Sequence, residues 1–242
     1  VKGLASDKGL FMPQSIRPLP RAFFDEIDTL SFPEIAYRVA DAFFGDDIPA
    51  DTLRDLVFDT LQFDVPLVRV DENIYSLELF HGPTLAFKDV GARFMARLLG
   101  HFIRQSGEQR LVNVLVATSG DTGSAVANGF LGVPGIHVYV LYPKGKVSPI
   151  QECQFTTLGQ NITALEIDGV FDDCQALVKS AFMDHELTSH MRLTSANSIN
   201  VARFLPQSFY YFYACAQLQR MGKQDRVVAC VPSGNFGNIC SA

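Results

Sequence analysis

Lys88 stands in the run Phe80-His81-Gly82-Pro83-Thr84-Leu85-Ala86-Phe87-Lys88-Asp89-Val90-Gly91, where a turn signal leads through a short apolar stretch to a single cation. The residues that follow predict a long amphipathic helix, so the lysine falls in its first turn. Helix N-termini carry partial positive charge and favour anions. An ammonium group there, beside Leu85, Ala86 and Phe87, is disfavoured relative to the neutral amine. A neutral amine is what forms a Schiff base with a carbonyl. The competing reading is a surface lysine, with Asp89 as an ordinary N-terminal acid.

Two segments have the composition to hold oxyanions. Thr118-Ser119-Gly120-Asp121-Thr122-Gly123-Ser124 follows the apolar run 111–117, and Ser233-Gly234-Asn235-Phe236-Gly237-Asn238 follows the apolar run 227–231. Glycines admit close backbone approach, and hydroxyls with helix N–H groups bind anions. Either segment also reads as plain turn chemistry, with Asp121 or Asn238 as a helix cap. Two more clusters suit an anionic substrate or a solvated turn. These are Thr194-Ser195-Ala196-Asn197-Ser198-Ile199-Asn200, with Arg203 one turn on, and Lys144-Gly145-Lys146.

The common nucleotide motifs and the nucleophile elbow are absent. The five histidines show no HExxH spacing and none pairs with a cysteine at zinc-finger spacing, so no metal site is expected. An activated lysine with two anion cradles is the inventory used by a cofactor that combines an aldehyde, a phosphate and an electron-sink ring. That description fits pyridoxal phosphate.

The elements that must position these residues read as α/β. Short helices are expected over 21–62, one opening at Ser31-Phe32-Pro33-Glu34 and another at Pro49-Ala50-Asp51. A turn followed by a short strand or extended segment is expected over 3–14. Strands are expected at 67–70 and 74–79, then, alternating with helices, at 111–117, 137–142, 162–167, 191–194 and 227–231. The intervening helices are the one begun by Lys88, then 121–131, 148–158, 171–184 and a single long helix over 202–221. Such alternation predicts parallel sheets.

Composition sets the outer bounds. The 242 residues carry a net charge of −6, without a basic stripe, so neither nucleic acid nor an anionic membrane is an expected partner. No apolar run is long enough to span a bilayer as a helix. Five scattered cysteines, with no CxxC pair, and no leader-like N-terminus point to a cytoplasmic setting. A start without methionine and a stop just past the 233–238 turn suggest a fragment cut at both ends, its C-terminal part truncated.

Together these motifs, in their order, resemble the threonine synthases, fold-type-II pyridoxal-phosphate enzymes related to tryptophan synthase β and serine dehydratases. The likeness rests on 81–89, 117–124, 195–207 and 233–238, and on Gly3-Leu4-Ala5 through Pro13. It is closest to the longer bacterial and fungal subgroup. The resemblance implies a two-lobed fold: 1–89 as N-terminal segment and part of a larger domain, 90–205 as a smaller, mobile α/β domain, and 206–242 as the start of the larger cofactor-binding domain. It implies conversion of O-phospho-L-homoserine and water to L-threonine and phosphate, with Lys88 as catalytic residue and cofactor anchor. Gly234, Asn235, Phe236, Gly237 and Asn238 would hold the cofactor phosphate, and Asp121 stands where many relatives place an asparagine on the ring hydroxyl. Ser119, Thr122, Asn197, Ser198, Arg203 and Lys146 would meet the substrate. The partner of the pyridine nitrogen would lie beyond residue 242. The alternatives are a phospholyase of the same fold that releases a 2-oxo acid, and a non-catalytic ligand-binding relative. The resemblance is silent on oligomeric state.

Overall fold

The computed structural model describes residues 11–107, 110–197, 200–223 and 226–242. Among them, Phe11 with Gly91–Arg203 forms one compact unit, and Met12–Val90 with Phe204–Ala242 forms another.

The second unit opens with helices α1 (Arg21–Glu26), α2 (Phe32–Phe44) and α3 (Ala50–Thr60). The start of α2 follows from its sequence. The Ser31 backbone N–H and hydroxyl donate to Glu34 Oε2 at 2.8 and 2.6 Å, and Pro33 sits in the first turn. These bonds, the hydroxyl first, hold the Glu34 carboxyl below its ordinary value. Phe23, Ile35, Val39, Leu53 and Val57 form the buried faces of the three helices. Strands β1 (Leu67–Asp71) and β2 (Ile74–Leu77) then pair as an antiparallel ribbon. Of the expected strand or extended segment over 3–14, residues 3–10 lie outside the described residues, and 11–14 are irregular.

Helix α4 (Lys88–Ser106) starts at the lysine, as its pattern predicts. Beyond it come β3 (Val112–Ala117), α5 (Asp121–Phe130), β4 (Ile136–Pro143), α6 (Pro149–Thr156), β5 (Ile162–Ile167), α7 (Phe171–Met183), α8 (His185–His190), β6 (Arg192–Ser195) and α9 (Val201–Phe204). Helix α8 was not anticipated; Asp184 caps it by accepting from the Leu187 N–H at 3.0 Å. The four strands are parallel, in the order β5-β4-β3-β6. All six residues of β3 are buried, as expected of a central parallel strand. Its Val112, Val114 and Val116 pack in one core with Met95, Leu99, Ala125 and Val126 from α4 and α5. Leu115 and Ala117 belong to a second core with Cys174 and Val178 of α7.

The chain order puts β4 and β5 on one side of β3 and returns β6 to the other. The switch in direction falls between β3 and β6, and ligands in such sheets gather at the carboxyl ends beside that point.

The expected single helix over 202–221 is broken. Helix α9 ends at Phe204, a 3₁₀ turn covers Leu205–Gln207, and α10 spans Ser208–Arg220. Pro206 lacks an N–H and its ring crowds the preceding turn, which is why one continuous helix does not form. Phe32 stacks on Tyr213 of α10 with ring centroids 4.6 Å apart. Gln217 bridges to the ribbon: its Nε2 donates to the Val65 carbonyl at 3.0 Å, and its Oε1 accepts from the Leu67 N–H at 2.8 Å.

The expected strand over 227–231 is also corrected. These residues are irregular, and Val228 is 81% exposed. An apolar run becomes a buried strand only between paired neighbours. Among the described residues none pairs with it.

Candidate active site

Lys88 is half-buried at the first position of α4, and the turn before it is held by a buried carboxylate. Asp89 is 1% exposed. Its Oδ2 accepts from the Thr84 N–H at 2.9 Å and its Oδ1 from the Thr84 hydroxyl at 2.6 Å. Hydrogen bonds to a charged group contribute about 1.5–3 kcal/mol each. Gly82 is required beneath them, because a Cβ there would come within 2.5 Å of Asp89 Oδ2. Leu85 takes a left-handed φ of 59°, a strained conformation for a leucine, inside this closed turn. The Tyr210 hydroxyl donates to the Phe87 carbonyl, on the peptide that enters Lys88. Burial first, and the charge of Asp89 second, push the Tyr210 phenol well above its ordinary value, so it stays a donor. The Lys88 ammonium position lies 5.5 Å from the centre of the Phe87 ring.

The next residue of α10 addresses the second anion segment. The Tyr211 hydroxyl donates to Asn238 Oδ1 at 2.7 Å, and Asn238 Nδ2 donates to Gln207 Oε1 at 3.0 Å. Successive helical side chains diverge by about 100°, so neighbouring tyrosines serve two different turns. One fixes the entry to Lys88; the other fixes the 233–238 turn. Gly234, Asn235 and Phe236 are exposed, Phe236 at 67%. A short 3₁₀ turn, Ile239–Ser241, follows.

The remaining candidates lie at the carboxyl edge of the parallel sheet. After β3, the buried Thr118 hydroxyl accepts from the Gly120 and Gly123 N–H groups at 2.9 and 2.8 Å, and donates to the Gly120 carbonyl at 3.0 Å. Ser119 is exposed, and Asp121 and Thr122 open α5 half-buried. On the adjacent strand, Asn197 follows β6 and its Nδ2 donates to the Ala117 carbonyl at 3.2 Å. The structure therefore brings Ser119, Asp121, Thr122 and Asn197 to the ends of β3 and β6. Arg203 is 1% exposed, and its guanidinium donates to the Ala196 carbonyl at 2.5 Å. That places it inside the fold, on the carbonyl that precedes Asn197. A Cβ at Gly91 would meet the Arg203 carbonyl at 2.2 Å, so α4 needs a glycine there. Lys146 is exposed in the turn after β4. Ser198 lies outside the described residues.

Four contributors were not singled out as site residues in the sequence: Thr84, Tyr210, Tyr211 and Gln151, whose Nε2 donates to Asp121 Oδ1. The Ser148-x-x-Gln151 spacing is a helix-start signal and could have drawn attention to Gln151. The tyrosines left no signal beyond an aromatic helix. Among the described residues no cluster of ligating side chains could hold a metal ion, and no helix is long and apolar enough to cross a membrane.

The donor set suits pyridoxal phosphate: a partly accessible primary amine in a rigid turn, and a separate glycine-rich turn for an anion, both tied to α10. Comparison with known proteins agrees. Residues 1–61 match the family profile described as threonine synthase N terminus, and residues 61–241 match that of pyridoxal-phosphate dependent enzymes. The threonine synthase of Escherichia coli (strain K12) is 48% identical over 238 residues, covering 98% of this chain and 54% of that protein. Its crystal structure superposes with a TM-score of 0.89 at 47% identity, covering 99% of this chain and 55% of that one. The crystal structure of threonine synthase with PLP bound from Brucella melitensis gives 0.88 at 41% identity, covering 99% and 52%. The chain thus spans about half the length of the relatives it matches.

Proposed function

This chain belongs to the pyridoxal-phosphate dependent enzyme family, in its threonine synthase branch, and from that premise we propose that it serves the conversion of O-phospho-L-homoserine and water to L-threonine and phosphate. The observation that carries the proposal is the α10 tyrosine pair. It fixes the lysine turn and the glycine-rich turn from one rigid element.

When bound, pyridoxal phosphate supplies an aldehyde that condenses with a primary amine and a ring that delocalises the electron pair left at Cα. Lys88 is the amine of this chain for that bond. The same Nζ would move protons along the substrate chain. In the net reaction, Cβ exchanges one hydrogen for the hydroxyl of water, Cγ exchanges phosphate for a proton, and the remaining proton leaves with the phosphate. The Gly234–Gly237 turn would hold the cofactor phosphate through backbone N–H groups. Asn238, engaged by Tyr211 and Gln207, orients that turn. By the resemblance, Asp121 would meet the ring hydroxyl. The Ser119 and Thr122 hydroxyls, the Asn197 amide, Ser198 and Lys146 are the candidate donors for the substrate carboxylate and phosphate. The buried Arg203 holds the Asn197 segment in place. The setting expected from composition and the resemblance is cytoplasmic.

The test uses the full-length protein. With pyridoxal phosphate and O-phospho-L-homoserine, threonine and phosphate should form in equal amounts. Borohydride should fix the cofactor to the peptide containing Lys88, and Lys88→Ala should abolish both product and visible absorbance. Ammonia and a 2-oxo acid without threonine would assign a phospholyase instead. A protein that takes up no cofactor would end the proposal.

A further inference from the structure

Gln151, in the first turn of α6, touches three parts of the sheet's carboxyl edge. Its Nε2 donates to Asp121 Oδ1. Its Oε1 accepts from the Ser148 hydroxyl at 3.0 Å, two residues after Lys146. Its backbone carbonyl accepts from the Ser124 hydroxyl at 3.2 Å, and that hydroxyl also reaches the Gly120 carbonyl at 3.3 Å. The side chain fills the space over the turn as well. A Cβ at Gly120 would meet Gln151 Oε1 at 2.4 Å, and Gly120 takes a φ of +146° that other residues rarely adopt.

Helix capping does not account for this reach. The cap of α6 needs only Ser148, whose hydroxyl accepts from the Gln151 N–H at 3.4 Å. The amide goes on to a carboxylate 30 residues away on another helix. The parallel pairing of β3 and β4 brings the starts of α5 and α6 side by side. An amide suits the position because it donates at one end and accepts at the other. A carboxylate there would oppose Asp121, and an alkyl group would leave it without this donor.

We propose that Gln151 is a positioning residue of the candidate site. It fixes the Asp121 carboxylate through one oxygen and holds the Gly120 turn, so that the Ser119–Thr122 segment keeps a single orientation. Through Ser148 it ties that segment to the turn carrying Lys146. The inference rests on the functional reading above for what Asp121 and Lys146 face.

Paired substitutions in the full-length protein test it. Gln151→Glu should raise the apparent Kd for pyridoxal phosphate, read by absorbance titration, by about tenfold, and should lower kcat more than it changes KM. Adding Asp121→Asn re-creates a donor–acceptor pair with the roles exchanged. It should return the Kd to within about threefold of Asp121→Asn alone. The same non-additive rescue should appear in thermal melting of the cofactor-free protein. Independent, additive effects in both readouts would overturn the proposal. If Gln151→Glu does not fold, Ser148→Ala should raise the Kd about twofold, the loss of one modest hydrogen bond. An unchanged Kd would overturn the proposal equally. The melting cycle needs no cofactor, so it decides the role of Gln151 even if cofactor uptake fails and the proposed function falls.

Discussion

The two glycine-rich turns look alike in sequence and are supported in opposite ways. The 118–124 turn sits on a central strand, is closed around the buried Thr118 hydroxyl, and has no room over its glycines. The 233–238 turn follows a run with no strand partner among the described residues, is largely exposed there, and is held by a side-chain chain from Tyr211 through Asn238 to Gln207. Similar composition thus yields one turn fixed by backbone packing and one fixed by a removable tether. A turn on a strand inherits the rigidity of the sheet. A turn without one depends on whichever side chain reaches it.

Breaking the first turn should therefore cost most. Thr118→Val removes one oxygen and leaves two buried N–H groups unpaired, a loss of about 2–6 kcal/mol at 1–3 kcal/mol for each group. Chemical denaturation of the cofactor-free protein reads it, and a loss near zero would mean that the frame is not what holds the turn. Gly123→Ala brings a Cβ to 2.5 Å from Thr118 Cγ2, and overpacking of this kind costs about 1–3 kcal/mol. Tyr211→Phe should cost only about 0.5–1.5 kcal/mol, one hydrogen bond, yet weaken cofactor binding, because it frees the Asn238 side chain at the end of the second turn. Gly234→Ala should change cofactor-free stability by less than about 0.5 kcal/mol, since a Cβ there meets nothing within 4 Å. A large loss would show that this turn is as tightly packed as the first.

The comparison also has a pH signature. Burial raises the Tyr211 phenol above its ordinary value of 10. The folded form therefore keeps its proton where the unfolded chain has lost it. The corresponding stability is intact below pH 10 and declines as pH rises from there through the folded value. Wild type should lose stability over that range faster than Tyr211→Phe. Thr118 has no titrating group in this range, so Thr118→Val should leave the slope unchanged.

Much of the fold was legible because its signals are local. Ser31 and Glu34 mark a helix start by spacing alone, and the uninterrupted apolar run of β3 marks a buried parallel strand. The failures were tertiary. Val227–Val231 has the composition of β3 but lacks strand neighbours among the described residues. Pro206 divides a stretch whose aromatic pattern reads as one helix. The candidate site was legible to the same degree. Lys88, the two turns and Asn197 carry composition that announces chemistry. Tyr210 and Tyr211 were hidden because their function lies in which way each side chain leaves the helix.

The sequence by itself determined the family and marked a candidate amine and two candidate turns, since residue type and spacing record reactive groups directly. Only the tertiary structure decided which of those groups face outward and which hold others in place. Arg203 read as a cation for an anionic substrate and is a buried strut on the Ala196 carbonyl. Asp89 read as an ordinary helix acid and is the buried carboxylate that closes the Lys88 turn. The physical reason is that burial and hydrogen-bond partnership come from chain segments far apart in sequence, which no local pattern encodes.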